Sequence, residues 1–254
     1  MDESQPSSRS ESAAHRELKR LALVWAGEHR LALAATEVRL PRSSYRADVA
    51  AATPRALAPN AFTAVFECKV SRTDFLRDSA PEAGAVEAIA GLHERLATLR
   101  ALIGGHRPDL RKGEELFPEF DALDLRGLRH QTHDELENEL RIAQRKLHEG
   151  TKFAKLGRWR AASLLYVVAE DGLFAPFELP ADWGLLVRRG ATLTQVVRPC
   201  LRETTAVERV ALVERIAAAV TTRERKTYGV ASPLGVRAGE LTDRDAGGAG
   251  PSAT

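Results

Sequence analysis

Apolar residues recur along the chain in two rhythms that replace one another. From Ser12 to Gly27, Leu18, Leu21, Ala22 and Trp25 fall at helical spacing, which predicts an amphipathic first helix with Gly27 as its C-cap. The period then shortens. Leu31–Leu40, Tyr45–Ala52 and Phe62–Val70 are short runs of apolar and β-compatible residues, set apart by Pro41-Arg42-Ser43-Ser44 and by Pro54–Asn60. They predict three consecutive strands. Ser71-Arg72-Thr73-Asp74 offers several N-cap residues, so a helix is expected to begin near Asp74.

Helical spacing returns from Pro81 to Gly104, where Val86, Ile89, Leu92, Leu96, Leu99 and Ile103 recur every three to four residues. A second helix is signalled by Thr132-His133-Asp134-Glu135, a capping-box pattern, followed by Leu136, Leu140, Ala143 and Leu147 up to Gly150. The two helices are expected to pack as an arm. Ala161–Ala169 reads as a buried strand, and Trp183–Val187 and Leu193–Val197 as two more. A last helix opens with the capping box Thr205-Ala206-Val207-Glu208 and is expected to turn Val210, Val213, Ile216, Ala217 and Val220 inward. Residues 1–11 and 240–254 are polar or Gly-rich and read as disordered ends.

Composition narrows the class. With 44% hydrophobic and 28% charged residues, the chain can bury one core with an appended subdomain, or two small domains. Its apolar runs fall short of the roughly 20 residues of a membrane-spanning helix, so no membrane role is expected. The start lacks a basic stretch leading into an apolar one, which argues against a secretory signal. Cys68 and Cys200 are too few for a disulfide framework and read as reduced thiols, pointing to a cytoplasmic protein. The net charge of +2 does not announce nucleic-acid binding, although a local basic surface can act without a basic total.

Candidate chemistry lies in the second and third predicted strands. Alternation puts Arg46, Asp48 and Ala50 on one face of the second, and Glu67 beside Lys69 on one face of the third, with Phe66 and Cys68 behind. Two carboxylates and an amine can then converge. Asp48 and Glu67 would supply hard oxygen ligands to Mg²⁺, with the Cys68 carbonyl as a further ligand. Lys69 would orient and help deprotonate an attacking water, or stabilise charge developing on a phosphoryl group. Alone the pattern is weak, because its residues are common and ion pairs on strand faces produce the same spacing.

Longer matches strengthen it. The stretches Tyr45-Arg46-Ala47-Asp48-Val49-Ala50-Ala51 and Glu67-Cys68-Lys69-Val70-Ser71-Arg72-Thr73-Asp74-Phe75-Leu76-Arg77-Asp78 resemble the paired signatures of the bacterial MmcB-like family of DNA-repair endonucleases. That family belongs to the PD-(D/E)XK nuclease superfamily. Downstream, Leu165-Tyr166-Val167-Val168 and Leu179-Pro180-Ala181-Asp182-Trp183-Gly184-Leu185-Leu186-Val187 are similar to its later elements. The resemblance covers residues 31–78 and 152–199. The chain departs from the family where Ser79–Gly150 intervenes before Lys152 and Trp159.

The resemblance implies an α/β fold with a PD-(D/E)XK restriction-endonuclease-like core, a mixed sheet flanked by helices, carrying a helical insertion. The core divides into residues 12–78 and 151–200 around an insertion at 79–150, with a C-terminal helix and extension at 201–239. The activity that the resemblance implies is hydrolysis of DNA phosphodiester bonds with Mg²⁺ or Mn²⁺ in DNA repair, with Asp48, Glu67 and Lys69 as the catalytic set. Endonucleolytic and exonucleolytic action are both open. Many superfamily members add a Glu from the first helix; Glu17 is the candidate by position, with Glu28 and Glu37 as alternatives.

Arg46, Ser71, Arg72, Lys152, Lys155, Arg158 and Arg160 are candidates for a phosphate-binding surface, although such clusters also serve as solvated faces. Trp159 can pack in the core or stack a base. Asp74 is expected to complement a helix dipole, Asp78 to face solvent, and His130 and His133 to face solvent as well. The two helical seams of the insertion can pair within a chain or between chains, making a homodimer or a repair-protein contact the expected partners beside DNA. The competing reading is a non-catalytic nuclease-fold module that binds DNA or a repair partner through the insertion.

Overall fold

The computed structural model describes residues 12–76, 84–112, 122–123, 125, 128–158, 160 and 162–230. Expectations for residues 1–11, Asp78, Trp159 and 240–254 lie outside the described residues. Ser12 caps α1 (Ala13–Glu28) by accepting the His15 amide on its side-chain oxygen. The helix runs past Gly27 and closes at His29, the left-handed turn falling on Arg30 with φ 65°.

Three strands follow as an antiparallel meander, β1 (Leu33–Arg39), β2 (Arg46–Ala52) and β3 (Thr63–Lys69). After β3 come α2 (Arg72–Phe75), α3 (Ala85–His106), the two-residue strands β4 (Arg111–Lys112) and β5 (Ala122–Leu123), α4 (Gln131–Leu147) and α5 (Lys152–Arg158). The chain then returns as β6 (Leu164–Glu170) parallel to β3, β7 (Gly184–Arg189) parallel to β6, and β8 (Thr192–Val197) antiparallel to β7, and it ends with α6 (Ala206–Thr227). The sheet is six-stranded and mixed, in the order β1-β2-β3-β6-β7-β8. β3 and β6 lie at its centre and are almost wholly buried, which is why both read as continuous apolar runs.

Helices cover both faces. On one, Leu18, Ala22, Trp25 and Ala26 of α1 pack against Val49, Phe66, Cys68, Tyr166, Val168 and Leu186. On the other, Phe75, Phe153, Leu156, Leu212 and Ile216 from α2, α5 and α6 pack against Ala50, Val65, Leu165, Val167 and Leu185. Each fully buried Leu or Phe contributes roughly 1.5–3 kcal/mol, so the two clusters dominate the fold's stability.

α3 and α4 pack on each other, tied by Arg100 to Glu137 at 2.6 Å. The pair docks on a one-turn 3-10 segment, Pro176–Glu178, through Gln144, whose side-chain amide donates to the Phe177 carbonyl at 2.9 Å. The described helices contain none long and apolar enough to cross a membrane.

Several local expectations need correction. α2 starts at Arg72, two residues before Asp74, and makes a single turn, with Ser71, one of the expected N-cap residues, as its cap. α4 is capped by His130, whose Nδ1 accepts the His133 amide, and not by Thr132. His133 is buried beside Arg100 and Glu137 instead of facing solvent, since α3 covers that side of α4. In α6 the inward residues are Arg209, Leu212 and Ile216, while Ala217 and Val220 are exposed. Arg209 is held there by the carbonyls of Ala56, Ala58 and Thr204, which rotates the buried stripe by about one position from the apolar count.

Candidate catalytic and metal centre

The site forms where β2 and β3 part. Their pairing runs from Ala52↔Thr63 to Val49↔Phe66 and stops there. On the other side, Thr36↔Val49 and Val38↔Ala47 flank the position where Glu37 adopts φ 58° opposite Asp48. This distortion breaks the alternation expected for β2. Ala47 and Ala50 both pack toward α6, whereas Asp48 turns toward α1. Asp48 Oδ2 accepts the Cys68 amide at 2.8 Å, taking the place of the strand carbonyl that a continued ladder would have offered.

Two residues of α1, four apart and therefore on one helix face, complete the surroundings of Asp48. His15 Nε2 lies 3.3 Å from Oδ2, and Lys19 Nζ lies 3.4 Å from Oδ1. Lys19 also pairs with Glu37. Glu17 stands on a different side of α1, where its carboxylate binds the Arg20 guanidinium through two contacts of 2.8 Å. The structure therefore does not bring Glu17 to Asp48: two residues along a helix is about 200° of rotation from His15.

Glu67 and Lys69 share the α5-facing side of β3, as alternation predicts. Glu67 is only 2% exposed. Its Oε2 accepts from Lys152 Nζ at 2.7 Å, and Oε1 is buried without a hydrogen-bond partner among the described residues. The Lys69 ammonium donates to the Asp74 carbonyl at 3.1 Å, sits 3.8 Å from the Asp74 carboxylate, and lies 5.4 Å from the centre of the Phe153 ring. Asp74 thus anchors Lys69 as well as occupying the first turn of α2.

The two carboxylates are driven apart electrostatically. Burial alone would raise Asp48, but the hydrogen bond and charge of His15, the Cys68 amide and the Lys19 charge outweigh it and hold the group below its ordinary value. Burial pushes Glu67 up to about 7; the neighbouring Asp48 charge adds to the rise, and Lys152 and Lys69 oppose it. The other two predicted residues, Asp48 and Lys69, are therefore within electrostatic reach of Glu67. A buried carboxylate oxygen left without a partner is costly, and a cation is the group that would satisfy it. The oxygens of Asp48 and Glu67 fit the hard ligand set of Mg²⁺ or Mn²⁺, and the Cys68 carbonyl belongs to the same stretch of β3.

The remaining candidates separate. Lys152 is not a surface cation: its ammonium joins Glu67 to the Arg46 carbonyl at 2.6 Å. Arg72 binds the buried Glu178 carboxylate through two contacts of 3.0 and 2.6 Å, which ties its guanidinium to the fold while 46% of the side chain stays exposed. The Ser71 hydroxyl accepts the Asp74 amide as a helix cap. Arg46 is exposed and reaches Glu37 at 3.4 Å, and Lys155 lies over the Tyr45 ring at 5.7 Å. Arg158 and Arg160 border a cavity of about 890 Å³ between α4, α5 and the Pro180–Trp183 turn, together with Arg145 and Arg202.

His15 and Lys19 were not singled out by the sequence pattern. Their signal is a polar residue, Lys19, placed directly in the buried stripe of Leu18, Leu21 and Ala22.

No family model matches the chain, and no curated protein matches it. Among solved structures it is similar to a protein of unknown function from Silicibacter pomeroyi, at 14% identity and a TM-score of 0.45, covering 86% of this chain and 93% of that one.

Proposed function

We propose that the chain is a metal-dependent nuclease of the PD-(D/E)XK kind, resembling the MmcB-like family and hydrolysing DNA phosphodiester bonds through Asp48, Glu67 and Lys69. The observation that carries the reading is the buried Glu67 Oε1, which has no hydrogen-bond partner among the described residues and lies within electrostatic reach of an ionised Asp48 and an anchored Lys69. A bound Mg²⁺ or Mn²⁺ supplies Lewis acidity and a more acidic water.

The chain's own residues do the rest. Lys152 holds one oxygen of Glu67, which helps to orient the other. The Cys68 amide and His15 keep Asp48 deprotonated at neutral pH. Lys69 offers its ammonium to a non-bridging phosphate oxygen, where negative charge grows as water adds to phosphorus and the bond to the leaving oxygen breaks. The attacking water gives up one proton to solvent and the leaving oxygen takes one from solvent, so the step is a net hydrolysis. Repair is the process that the family resemblance suggests.

A second reading, a non-catalytic module that binds DNA or a repair partner, is favoured by the arginine-bordered cavity between the insertion and the core. Cleavage of labelled linear, circular and branched DNA with Mg²⁺, with Mn²⁺ and with chelator separates the two. Metal-dependent cutting that disappears in a folded Glu67→Gln protein supports the nuclease. Binding of the same DNAs with no cutting in either metal favours the module.

A further inference from the structure

We propose that His15, Asp48 and Cys68 form a second, softer metal site that takes Zn²⁺ through an imidazole nitrogen, a carboxylate oxygen and a thiolate sulfur. Their donor atoms all lie within 4.8 Å of one another. His15 Nε2 and Asp48 Oδ2 are 3.3 Å apart. Bonds of about 2.1 Å in a tetrahedron put two such donors roughly 3.4 Å apart, so this pair already stands at coordination spacing. An edge to a thiolate is roughly 3.6 Å, which leaves the sulfur at most about 1.2 Å to close.

The donor set differs in kind from the oxygens of Asp48 and Glu67. Imidazole and thiolate select zinc and its neighbours, whereas carboxylate and water suit magnesium. Lys19 does not block the site, because it contacts Oδ1 and Glu37 while His15 faces Oδ2. Cys68 is buried among apolar side chains and His15 Nε2 is buried as well, while a quarter of the His15 side chain stays open, so an ion enters by a small displacement of the His15 ring. Binding releases the thiol proton and the His15 Nε2 proton to solvent, leaving the imidazole's other proton on Nδ1.

Asp48 belongs to both ligand sets, so zinc held here withdraws it from the nuclease centre and inhibits. That consequence rests on the proposed nuclease activity; the binding itself does not. The test uses the full chain carrying Cys200→Ser, stripped with chelator and titrated with Co²⁺ as a spectroscopic probe. One equivalent should develop a thiolate-to-cobalt charge-transfer band and visible d–d bands, and Zn²⁺ should abolish both.

Cys68→Ser should lose the charge-transfer band. His15→Gln should weaken cobalt binding by about tenfold or more, at least the loss typical of groups that only support a ligand. Glu67→Gln should keep the band. Absence of the band in the Cys200→Ser protein, or its survival in Cys68→Ser, overturns the proposal while Mg²⁺-dependent cutting is untouched. Where Cys68→Ser fails to fold, the half-buried His15→Gln carries the test, and unchanged cobalt affinity in it overturns the site.

Discussion

Lys152 and Glu67 are 85 residues apart in the chain and 2.7 Å apart in the fold. Residues 79–150 lie between them, and Lys152, the first residue of α5 just beyond that segment, delivers the ammonium that holds the Glu67 carboxylate. This explains how a long insertion can sit between β3 and α5 without dispersing the centre: α5 is fixed to the sheet by Phe153 and Leu156 on one side and by Lys152 on the other.

Removing the ammonium leaves a buried carboxylate with reduced compensation. Lys152→Ala is predicted to lower stability by about 2–4 kcal/mol, slightly below the range for breaking a fully buried pair because Lys152 is 22% exposed. Urea denaturation measures it. A loss under about 0.5 kcal/mol, the size of an ordinary surface change, would show that the pair does not hold α5 in place.

Gly184 opens β7 where no side chain fits. A Cβ there would stand 2.7 Å from Tyr166 Cδ1 and 2.8 Å from Pro199 Cδ. Gly184→Ala is expected to cost about 1–3 kcal/mol through overpacking. Thermal unfolding checks it, and an unchanged midpoint would mean that Tyr166 and Pro199 yield without strain.

His148 is a pH-sensitive clasp between α4 and the Pro176–Glu178 segment. Burial depresses its imidazole below the ordinary value, with the Glu178 carbonyl and charge opposing, and its Nε2 donates to that carbonyl at 2.7 Å. Between the depressed value and the ordinary value of about 6.5, the unfolded chain binds the proton more tightly. Stability should therefore fall as pH drops through that window. Glu67 acts in the opposite sense, since its raised value makes the folded chain the better proton binder below about 7. Comparing denaturation midpoints of wild type and His148→Gln across this range isolates the histidine; parallel curves would contradict its role.

Two groups of arginines, alike in sequence, should behave differently. Arg72→Ala breaks a bidentate pair with a buried carboxylate and is predicted to cost about 2–3 kcal/mol, with no change in the salt dependence of DNA binding. Arg158→Ala with Arg160→Ala should leave stability within about 0.5 kcal/mol and flatten the salt slope of DNA binding by roughly one to two charges. Anisotropy titrations at several salt concentrations, with parallel denaturation, distinguish them.

The sheet was legible in the sequence because its strands are short apolar runs punctuated by proline-rich and polar turns, and all six longer strands fall where that pattern puts them. Glu67 and Lys69 were placed on a common face by alternation alone. Asp48 was not placed on its correct face, because the rule assumes an unbroken ladder and Glu37 interrupts it. The partners of the site were the least legible. Lys152, His15 and Lys19 reach it by tertiary packing across different elements, and Lys152 and Arg72 read as surface cations in sequence because their buried carboxylate partners, Glu67 and Glu178, are distant in the chain. The inward face of α6 was misjudged for a similar reason, as carbonyls from the β2–β3 connection draw Arg209 inside.

The most direct measurement of the central claim is the single-turnover rate of Mg²⁺- or Mn²⁺-dependent DNA cutting by wild type and by Lys69→Ala, with DNA affinity measured in parallel. The account predicts that wild type cuts and that Lys69→Ala loses about 10²-fold or more in rate, the scale of removing one charge-stabilising group, with affinity nearly unchanged. A folded Lys69→Ala protein that cuts at the wild-type rate, or a wild type that binds DNA and cuts none with either metal, would contradict it.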